Sequence, residues 1–426
     1  MQMTLAIALF VIAYIFIASE KISRVAVALG GAAAMVLIGA TDVDAAFYSH
    51  ETGIDWNVIF LLLGMMIIVG VIHKTGLFEF LAVSAIKKSG GRPKWALVYM
   101  MVIVALASAI LDNVTTILLA VPMTLIVCKH LRVSAVPFIL SEVFVSNIGG
   151  AATLVGDPPN IIIASIANLS FNSFLIHMAP MVVVVLLVIV PLLIFMFRKE
   201  LVNSPEARQK VMELSALDFL KDRQLLIKSI SVLILVMIAF VTHSIFHIEP
   251  SVIALLGAGL LVAISGLKPK EYLQDIEWPT LVFFSGLFIM VGALVNVGAL
   301  SEFAELLKEF FGGDTRLAAG TILGVSALLS GIVDNIPFVA SMSPVVSELS
   351  QGLTGIQEHV LWWSLAFGAD FGGNATIIGA SANIVAVGLA HKAGVKISFW
   401  QFAKYGIIVT LVSVAMIYPY ILFYYF

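Results

Sequence analysis

The chain has 426 residues, of which 61% are hydrophobic and only 12% are charged. Soluble domains carry about 25% charged residues, so this composition and a mean hydropathy of +1.09 exclude an ordinary soluble protein and indicate a polytopic membrane protein. The net charge of −3 provides no basic surface for nucleic acid, and a single cysteine excludes an internal disulfide and argues against a cysteine-ligated metal site.

Apolar segments predict the membrane spans in chain order, because about 20 apolar residues are needed to cross a bilayer. Interrupted spans are expected in two regions and full spans in the others. The full spans are 3–19, 25–41, 57–73, 173–197, 229–247, 250–267, 278–297 and 400–424, and the interrupted spans are 135–168 and 360–393. The apolar start of the chain lacks a basic leader, so we expect no cleavable signal segment.

Two further apolar regions, 95–128 and 317–348, do not fit as single spans. Each holds two runs of roughly 15 apolar residues, too short to cross a bilayer. The runs flank the sequence LDNVTT in the first region and VDNIPF in the second. Each region is therefore predicted to be a re-entrant helical hairpin with its polar tip at membrane depth. They are called hairpin one and hairpin two below.

The distribution of lysine and arginine predicts the orientation, because basic residues concentrate in cytoplasmic loops. With the N-terminus outside, all 23 basic residues fall inside except Lys308 and Arg316. This topology makes 198–228 a cytoplasmic linker and brings the two hairpins in from opposite sides. We expect a multi-pass protein of the inner (plasma) membrane with both termini outside, in the periplasm.

The second half of the chain repeats the first at an offset of 222 residues. The offset aligns glycines, a tryptophan, a proline and the hairpin tips: Gly64 with Gly286, Trp56 with Trp278, Pro122 with Pro344, and Asp112-Asn113 with Asp334-Asn335. Over 147–161 against 370–384, seven of fifteen positions are identical. The predicted fold class is an all-α polytopic membrane protein with two inverted-topology repeats, about 10 transmembrane spans, two re-entrant hairpins and two broken helices.

Inverted repeats with broken helices at corresponding positions point to a secondary transporter with its site near the midplane. The glycines of GGAATLVGDPPN (149–160) and GGNATIIGASAN (372–383) allow the helix to unwind and the backbone to approach a solute. Lipid does not satisfy the freed backbone groups, so such loops survive only where they line a cavity. Two copies in opposite orientation predict a site that faces either side of the membrane.

Five acids are expected at membrane depth, where a charged residue costs about 2.5–3.5 kcal/mol or more and is a functional candidate. They are Asp112, Glu142, Asp157, Asp334 and Asp370. No lysine or arginine is predicted at the same depth, so no internal cation is expected to neutralise them. All five are candidates for coupling transport to protons or sodium ions.

Each acid also has a structural alternative. Asp112 and Asp334 are placed to cap the second helix of each hairpin. Asp157 precedes two prolines and fits a helix start, whose N-terminus would still favour oxyanions or polar oxygens. Asp370 is open to a purely structural hydrogen bond, and Glu142 is open both to lining a proton route and to reaching the interface.

The remaining candidate ligands are polar side chains and glycines of the tips and loops. Asn160 and Asn383 recur in both copies, and so do Thr153 and Thr376, which also have the option of bonding to backbone. The whole candidate binding site for solute and ions comprises Asp112, Asn113, Thr115, Asn147, Gly149, Gly150, Thr153, Gly156, Asp157, Asn160, Asp334, Asn335, Asp370, Gly372, Gly373, Asn374, Thr376, Ser381 and Asn383. We expect no catalytic residue, metal or cofactor.

Three stretches carry a resemblance to a known family: NIGGAATLVGDPPNIII, LSGIVDNIPFVASMSPVV and GGNATIIGASANIVAVGLA. They resemble the ion transporter superfamily, and within it the branch of arsenite permeases of the ArsB type, the melanosomal P protein and NhaD-type antiporters. The resemblance covers nearly the whole chain. Citrate and dicarboxylate relatives carry Ser-Asn-Thr at the hairpin tips, whereas this chain has Asp-Asn, which disfavours a carboxylate solute.

The resemblance implies a scaffold, a transport domain with two hairpins and two unwound helices, an elevator-like motion, and dimerisation as an option. It also implies a site around Asp112, Asn113, 149–160, Asp334, Asn335 and 372–383. The chain is accordingly expected to divide into five segments. They are scaffold helices in 1–54, repeat 1 in 55–197, the linker in 198–228, further scaffold helices in 229–276 and repeat 2 in 277–426.

The leading functional hypothesis is proton-coupled export of arsenite, with antimonite as a second solute. Arsenite at neutral pH is expected to be mostly As(OH)3, which suits carboxylates and amides without arginine. A sodium–proton antiporter and an ion-coupled transporter of small anions, carboxylates or oxyanions, remain open. An intramembrane aspartyl protease using Asp112 and Asp334 is disfavoured because its Gly-x-Gly-Asp signature is missing. A channel is disfavoured because inverted repeats with broken helices indicate alternating access.

The energy source is expected to be an ion gradient or a partner, because the chain has no G-x-x-x-x-G-K-[ST] motif. The predicted partners are therefore a small inorganic solute, H+ or Na+, and the lipid bilayer. A soluble ATPase docking on 198–228 and a homodimer are left open.

Overall fold

The computed structural model describes residues 1–19, 21–202 and 215–426. The middle of the predicted linker, 203–214, lies outside the described residues. Within the described ranges every regular element is a helix. The first half comprises α1 (Gln2–Ser19), α2 (Arg24–Leu37), α3 (Val43–Tyr48), α4 (Trp56–Lys74), α5 (Leu77–Lys88), α6 (Pro93–Ile110), α7 (Asn113–Leu131), α8 (Val136–Gly150), α9 (Pro158–Ala167), α10 (Phe171–His177) and α11 (Ala179–Phe197).

The second half follows the same order. It comprises α12 (Arg223–Phe246), α13 (Pro250–Ser265), α14 (Pro269–Leu273), α15 (Trp278–Asn296), α16 (Ala299–Phe311), α17 (Thr315–Ser330), α18 (Asn335–Leu349), α19 (Val360–Gly372), α20 (Ser381–Lys392) and α21 (Phe399–Tyr424). Short 3-10 turns occupy Ala216–Phe219, Gly355–Gln357 and Ile377–Gly379. The helices and breaks from α4 to α9 recur in the same order from α15 to α20, as the 222-residue offset predicts, whereas α10 has no counterpart among the described helices.

Eight helices of the described chain are long and apolar enough to cross a bilayer, or up to nine if a bent pair is one span. Two of them are the arms of hairpin one, which have 18 and 19 residues. The prediction that each arm is too short to cross a bilayer is therefore wrong for hairpin one. The arms extend beyond the apolar runs because a proline starts α6 and polar residues continue the last turn of α7.

The start of one predicted span is also wrong. The segment expected at 173–197 begins instead at Ala179, because the residues before it form the separate short helix α10. Helix α10 is bent by 114° from α9. In addition, α2 and α13 have only 14 and 16 residues, which makes them shorter than the spans expected at 25–41 and 250–267.

Each hairpin turns where a single acidic residue caps its second helix. Asp112 accepts a hydrogen bond from the backbone N–H of Thr115, and Asp334 accepts one from Ile336. Such side-chain caps satisfy backbone donors that the helix start leaves free. The second helix of the hairpin therefore starts with an aspartate cap in both repeats.

The broken helices pack tightly on the hairpins through glycine. A Cβ at Gly149 would lie 2.4 Å from the carbonyl oxygen of Ala105, and a Cβ at Gly372 would lie 2.5 Å from that of Ala327. These distances are shorter than real Cβ atoms show, so only glycine fits both places. The backbones of α8 and α6, and of α19 and α17, approach each other equally closely for that reason.

The first helix pair of each half packs on the other half. Helix α2 packs along α15, and α13 packs along α4. Both contacts rest on a glycine facing an alanine: Gly286 meets Ala28, and Gly64 meets Ala254. The two repeats thus interlock and place both hairpin tips inside the molecule.

Candidate functional site

The tips of both hairpins meet at one carboxylate. Asp157 Oδ2 accepts a hydrogen bond of 2.7 Å from the side-chain amide of Asn113, and the amide of Asn335 donates to both Asp157 oxygens at 3.3 and 3.4 Å. Asp157 lies in the unwound segment between α8 and α9 and is 1% exposed. The structure therefore brings three sequence-predicted residues from separate segments into direct contact.

A chain of buried asparagines extends from this point into the second repeat. Asn113 also donates to Asn147 Oδ1 at 3.2 Å, and Asn147 Nδ2 donates to Asn374 at 2.9 Å and to Asn383 at 3.0 Å. We call Asn113, Asn147, Asp157, Asn335, Asn374 and Asn383 the central network. It joins both hairpin tips and both unwound segments, and its six members are at most 2% exposed.

The loops are braced to the hairpins by the same bonds in each repeat. Thr153 donates to the carbonyl of Ala109 and Thr376 to that of Gly331, both at 2.6 Å. The amide of Asn160 donates to the Thr153 carbonyl, and the repeat-equivalent Asn383 donates to that of Thr376. The threonine hydroxyls are therefore engaged with the backbone of the hairpins and not with that of their own segments.

Asp112 and Asp334 occupy equivalent tips but have different partners. Asp112 accepts from the backbone N–H and the hydroxyl of Thr115, within its own helix. Asp334 Oδ2 accepts from Nη1 of Arg24 at 3.0 Å and from the hydroxyl of Ser381 at 2.6 Å. The expectation that no arginine neutralises the acids is thus wrong. Arg24 begins α2, and the short α1–α2 connection places its side chain beside the tip of hairpin two.

Asp370 has no hydrogen-bond partner at either carboxylate oxygen among the described residues. It is fully buried in the last turn of α19, one turn before the helix unwinds. The Asn160 side chain lies beside it, and Asn160 Oδ1 also has no partner in the described chain. A fully buried carboxyl beside a buried amide suits a proton or a small cation.

Glu142 lies apart from the central network. Both of its oxygens accept from the hydroxyl of Thr124, at 2.6 and 2.7 Å, and the side chain is fully buried between α7 and α8. Leucine occupies the equivalent position of the second repeat, Leu365. Glu142 is therefore a separate buried acid on one side of the molecule.

The candidate glycines form the backbone walls of the unwound segments. Gly150 and Gly156 face each other, and Gly373 and Gly379 do so in the second copy. The carbonyl of Gly156 also accepts from the backbone N–H of Asn113 at 3.1 Å. The first unwound segment is therefore bonded directly to the tip of hairpin one.

Sequence reasoning missed four contributors to this region. Arg24 sits in a stretch that hydropathy assigns to a loop, and Thr124 is one of several hydroxyls in an apolar helix. Ser330 donates to the carbonyl of Ala369, repeating the bond from Ser108 to Ser146. The repeat offset relates Ser108 to Ser330, so this pair was detectable by aligning the halves.

No group of three or more histidine, cysteine, aspartate or glutamate side chains capable of holding a metal occurs in the described ranges. The candidate site therefore consists of carboxyls, carboxamides, hydroxyls and backbone groups, with one guanidinium at Asp334. Such groups can bind protons, alkali cations or small hydroxylated solutes by hydrogen bonding and coordination.

Two cavities approach the region from different elements. One of about 340 Å³ is bounded by the α1–α2 junction, the start of α15, hairpin two and α20, and it reaches Asp334 and Ser381. The other, of about 380 Å³, is bounded by the α12–α13 junction, the start of α4 and helix α9. They are called cavity A and cavity B below. Cavity A reaches Asp334 and Ser381, and cavity B reaches Leu154 of the first unwound segment.

Comparisons with known proteins agree with this architecture. Residues 14–368 match the profile of a family described as citrate transporter. A protein described as an uncharacterized transporter from Mycobacterium tuberculosis is 52% identical over 412 residues, 96% of each chain. The P protein of Homo sapiens is 34% identical over 97% of this chain, which spans 59% of that relative.

One solved structure shares the fold. The YdaH transporter of Alcanivorax borkumensis, described as having an unusual topology, superposes with a TM-score of 0.57 over 91% of this chain and 87% of that one. The sequence identity is 14%, so the likeness concerns the fold alone.

Proposed function

Because the chain belongs to the citrate transporter family of the ion transporter superfamily, and is a multi-pass membrane transporter and not an enzyme, we propose that it is an ion-coupled secondary transporter. The central network is its proposed solute and ion site. Alternating access is the proposed mechanism, in which the site opens to each side of the membrane in turn.

The observation that carries the proposal is the position of Asp157. It accepts hydrogen bonds from the tips of both hairpins, Asn113 and Asn335. A solute or ion that binds Asp157 competes with both amides at once. Binding is thereby linked to the position of the two hairpins, which is the requirement for a carrier.

Arsenite is the proposed solute, with antimonite second. As(OH)3 is small and uncharged, and it donates and accepts hydrogen bonds, as carboxyls and carboxamides do. A polyvalent carboxylate would need cations, and the guanidinium nearest the site, that of Arg24, is already bonded to Asp334. The chemistry of the residues therefore favours a neutral hydroxylated solute over citrate.

Sodium–proton exchange is the second candidate, and Asp370 is the observation in its favour. Asp112, Asp334 and Asp370 all lie close enough to Asp157 for mutual repulsion. Four neighbouring acids, one without any partner at either oxygen in the described chain, suit a site that exchanges a cation for protons.

We further propose the orientation predicted from the basic residues, with both termini on the outer side of the plasma membrane. Association with a second copy and docking of a soluble ATPase on the 198–228 linker remain predictions from the sequence. They are tested by the mass of the purified particle and by co-purification.

Flux in proteoliposomes with an imposed pH gradient tests the proposal. Gradient-driven arsenite movement that is lost in Asp157→Asn supports the leading function. Sodium-dependent dissipation of the pH gradient without arsenite movement supports sodium–proton exchange instead. Movement of citrate alone, or of no solute, contradicts both candidates. Asp42→Asn, at an exposed cap of α3, is the control for loss of a carboxylate.

A further inference from the structure

Arg24 completes a triangle of polar side chains at the tip of hairpin two. Its Nη1 donates to Ser381 Oγ at 2.7 Å and to Asp334 Oδ2 at 3.0 Å. The hydroxyl of Ser381 donates to the same Asp334 oxygen. The Asp334 carboxylate is thus held by a cation and a hydroxyl that come from two other elements.

The triangle connects three segments that are far apart in the chain. Arg24 begins α2 in the 1–54 segment, Asp334 caps α18 of hairpin two, and Ser381 begins α20. Any displacement of hairpin two from the α1–α2 junction separates the guanidinium from the carboxylate. The Asp334 side chain is only 9% exposed, so removing its cation leaves a largely buried charge unpaired, which is costly.

Cavities A and B are related by the internal repeat. Ala18 in cavity A corresponds to Ser244 in cavity B, Pro279 to Asn57, and Ile384 to Ile161. The same kinds of element therefore bound both cavities. They differ in their polar lining, because cavity A includes Asp334 and Ser381, whereas cavity B reaches the first unwound segment at Leu154.

Among the described residues, the arginine that pairs with Asp334 has no counterpart at Asp112. The position equivalent to Arg24 is Pro250, by the offset that relates Ala28 to Ala254. Asp112, the equivalent of Asp334, takes its side-chain hydrogen bonds from Thr115 in its own helix. In the described ranges the ion pair is therefore a feature of hairpin two and cavity A, without a counterpart at hairpin one.

We propose that Arg24 is a positioning residue that acts through Asp334. Its ion pair holds hairpin two in the state in which cavity A reaches the site, and a cation that binds Asp334 in place of the guanidinium releases it. The other ionisable groups near this pair are Tyr14 of α1, Glu277 before α15 and Asp157 before α9. The inference rests on the proposed function, since it names the step that couples ion binding to movement.

Thiol labelling of the full-length protein tests the inference without requiring transport. The buried Cys128 is first replaced by alanine. A reporter is then introduced by Ala18→Cys in cavity A or, separately, by Ser244→Cys in cavity B. Both positions hold small side chains and correspond by the repeat. The measured quantity is the ratio of the labelling rates of the two thiols by a charged methanethiosulfonate in detergent, where both sides are accessible.

Arg24→Gln is expected to slow labelling at position 18 and to speed it at position 244, changing the ratio about fivefold or more. Arg24→Lys is expected to keep most of the original ratio, because an ammonium also pairs with Asp334. Lys21→Gln removes the same charge from the exposed connection three residues earlier and is expected to leave the ratio unchanged. Size-exclusion chromatography and thermal unfolding establish that each variant is folded.

An unchanged ratio in folded Arg24→Gln overturns the inference. An equal shift in Lys21→Gln also overturns it, since the effect would then come from the charge of the connection. A shift in Arg24→Lys as large as in Arg24→Gln contradicts the role of the ion pair. If the wild-type protein moves neither arsenite nor sodium, the proposed function fails, while the labelling ratio still decides the role of Arg24.

Discussion

The side-chain amide of Asn147 donates a hydrogen bond of 2.9 Å to Asn374, across the boundary between the two repeats. Asn147 belongs to the last turn of α8, and Asn374 lies in the unwound segment after α19. The bond makes the two broken helices parts of one polar assembly. Its consequences for stability and transport are testable.

Replacing Asn147 by alanine should destabilise the protein. The substitution leaves Asn113, Asn374 and Asn383 without one partner each in a buried place, which costs on the order of 1–3 kcal/mol. Thermal unfolding in detergent measures the loss. Asn172→Ala removes an exposed amide that bonds a single carbonyl, and it should have a much smaller effect. Equal losses in both variants would contradict a special role for the network.

Asp157→Asn should abolish transport and leave the fold intact. The substitution keeps the size of the side chain but removes the charge that both hairpin amides bind. Flux is expected to fall at least about tenfold, as for an interaction worth about 1.4 kcal/mol or more. Solute flux and the unfolding temperature should be measured on the same preparation. Normal flux in a folded variant would remove Asp157 from the proposed site.

Asp370→Asn should separate coupling from solute binding. If the unpartnered carboxyl carries the coupling ion, the variant loses accumulation driven by the pH gradient but keeps solute exchange at equal concentrations. Glu142→Gln is the comparison, because Glu142 is equally buried but accepts hydrogen bonds from Thr124 at both oxygens. Loss of both activities in Asp370→Asn would indicate a role in solute binding or structure.

Gly149→Ala and Gly372→Ala should each destabilise the protein by about 1–3 kcal/mol, because the added methyl group meets backbone atoms that lack room to move. Gly259 and Gly324 provide matched controls. Both are helical, and a Cβ at either position meets nothing within 4 Å. Alanine there should be neutral or stabilising, since it restricts the unfolded chain. Unfolding temperatures of the four variants compare the two classes directly.

The repeat and the breaks in the helices were predictable because they depend on local sequence. Hairpin two was expected at 317–348, and its helices span Thr315–Ser330 and Asn335–Leu349. Its tip residues, Asp334 and Asn335, were expected at the turn because acids and amides cap helices. Polar groups in an apolar stretch and a fixed offset between the halves were enough to locate these features.

The contacts between distant segments were not predictable in the same way. Hydropathy places Arg24 in a connection between spans, and nothing near it in the sequence relates it to Asp334, 310 residues later. The separation of α10 from α11 was missed, although Pro180 in the first turn of α11 is a local signal for a helix start. Pairing of side chains depends on how the repeats interlock, which a hydropathy pattern does not encode.

The interlocking of α2 with α15, and of α13 with α4, has a consequence for biosynthesis. When the ribosome has completed the first half of the chain, α2 has not yet met the helix against which it packs, because Trp278–Asn296 is still to be made. The face of α2 around Ala28 then remains in contact with lipid or with the insertion machinery until the second half arrives. The protein is therefore expected to assemble late, with its two halves maturing together.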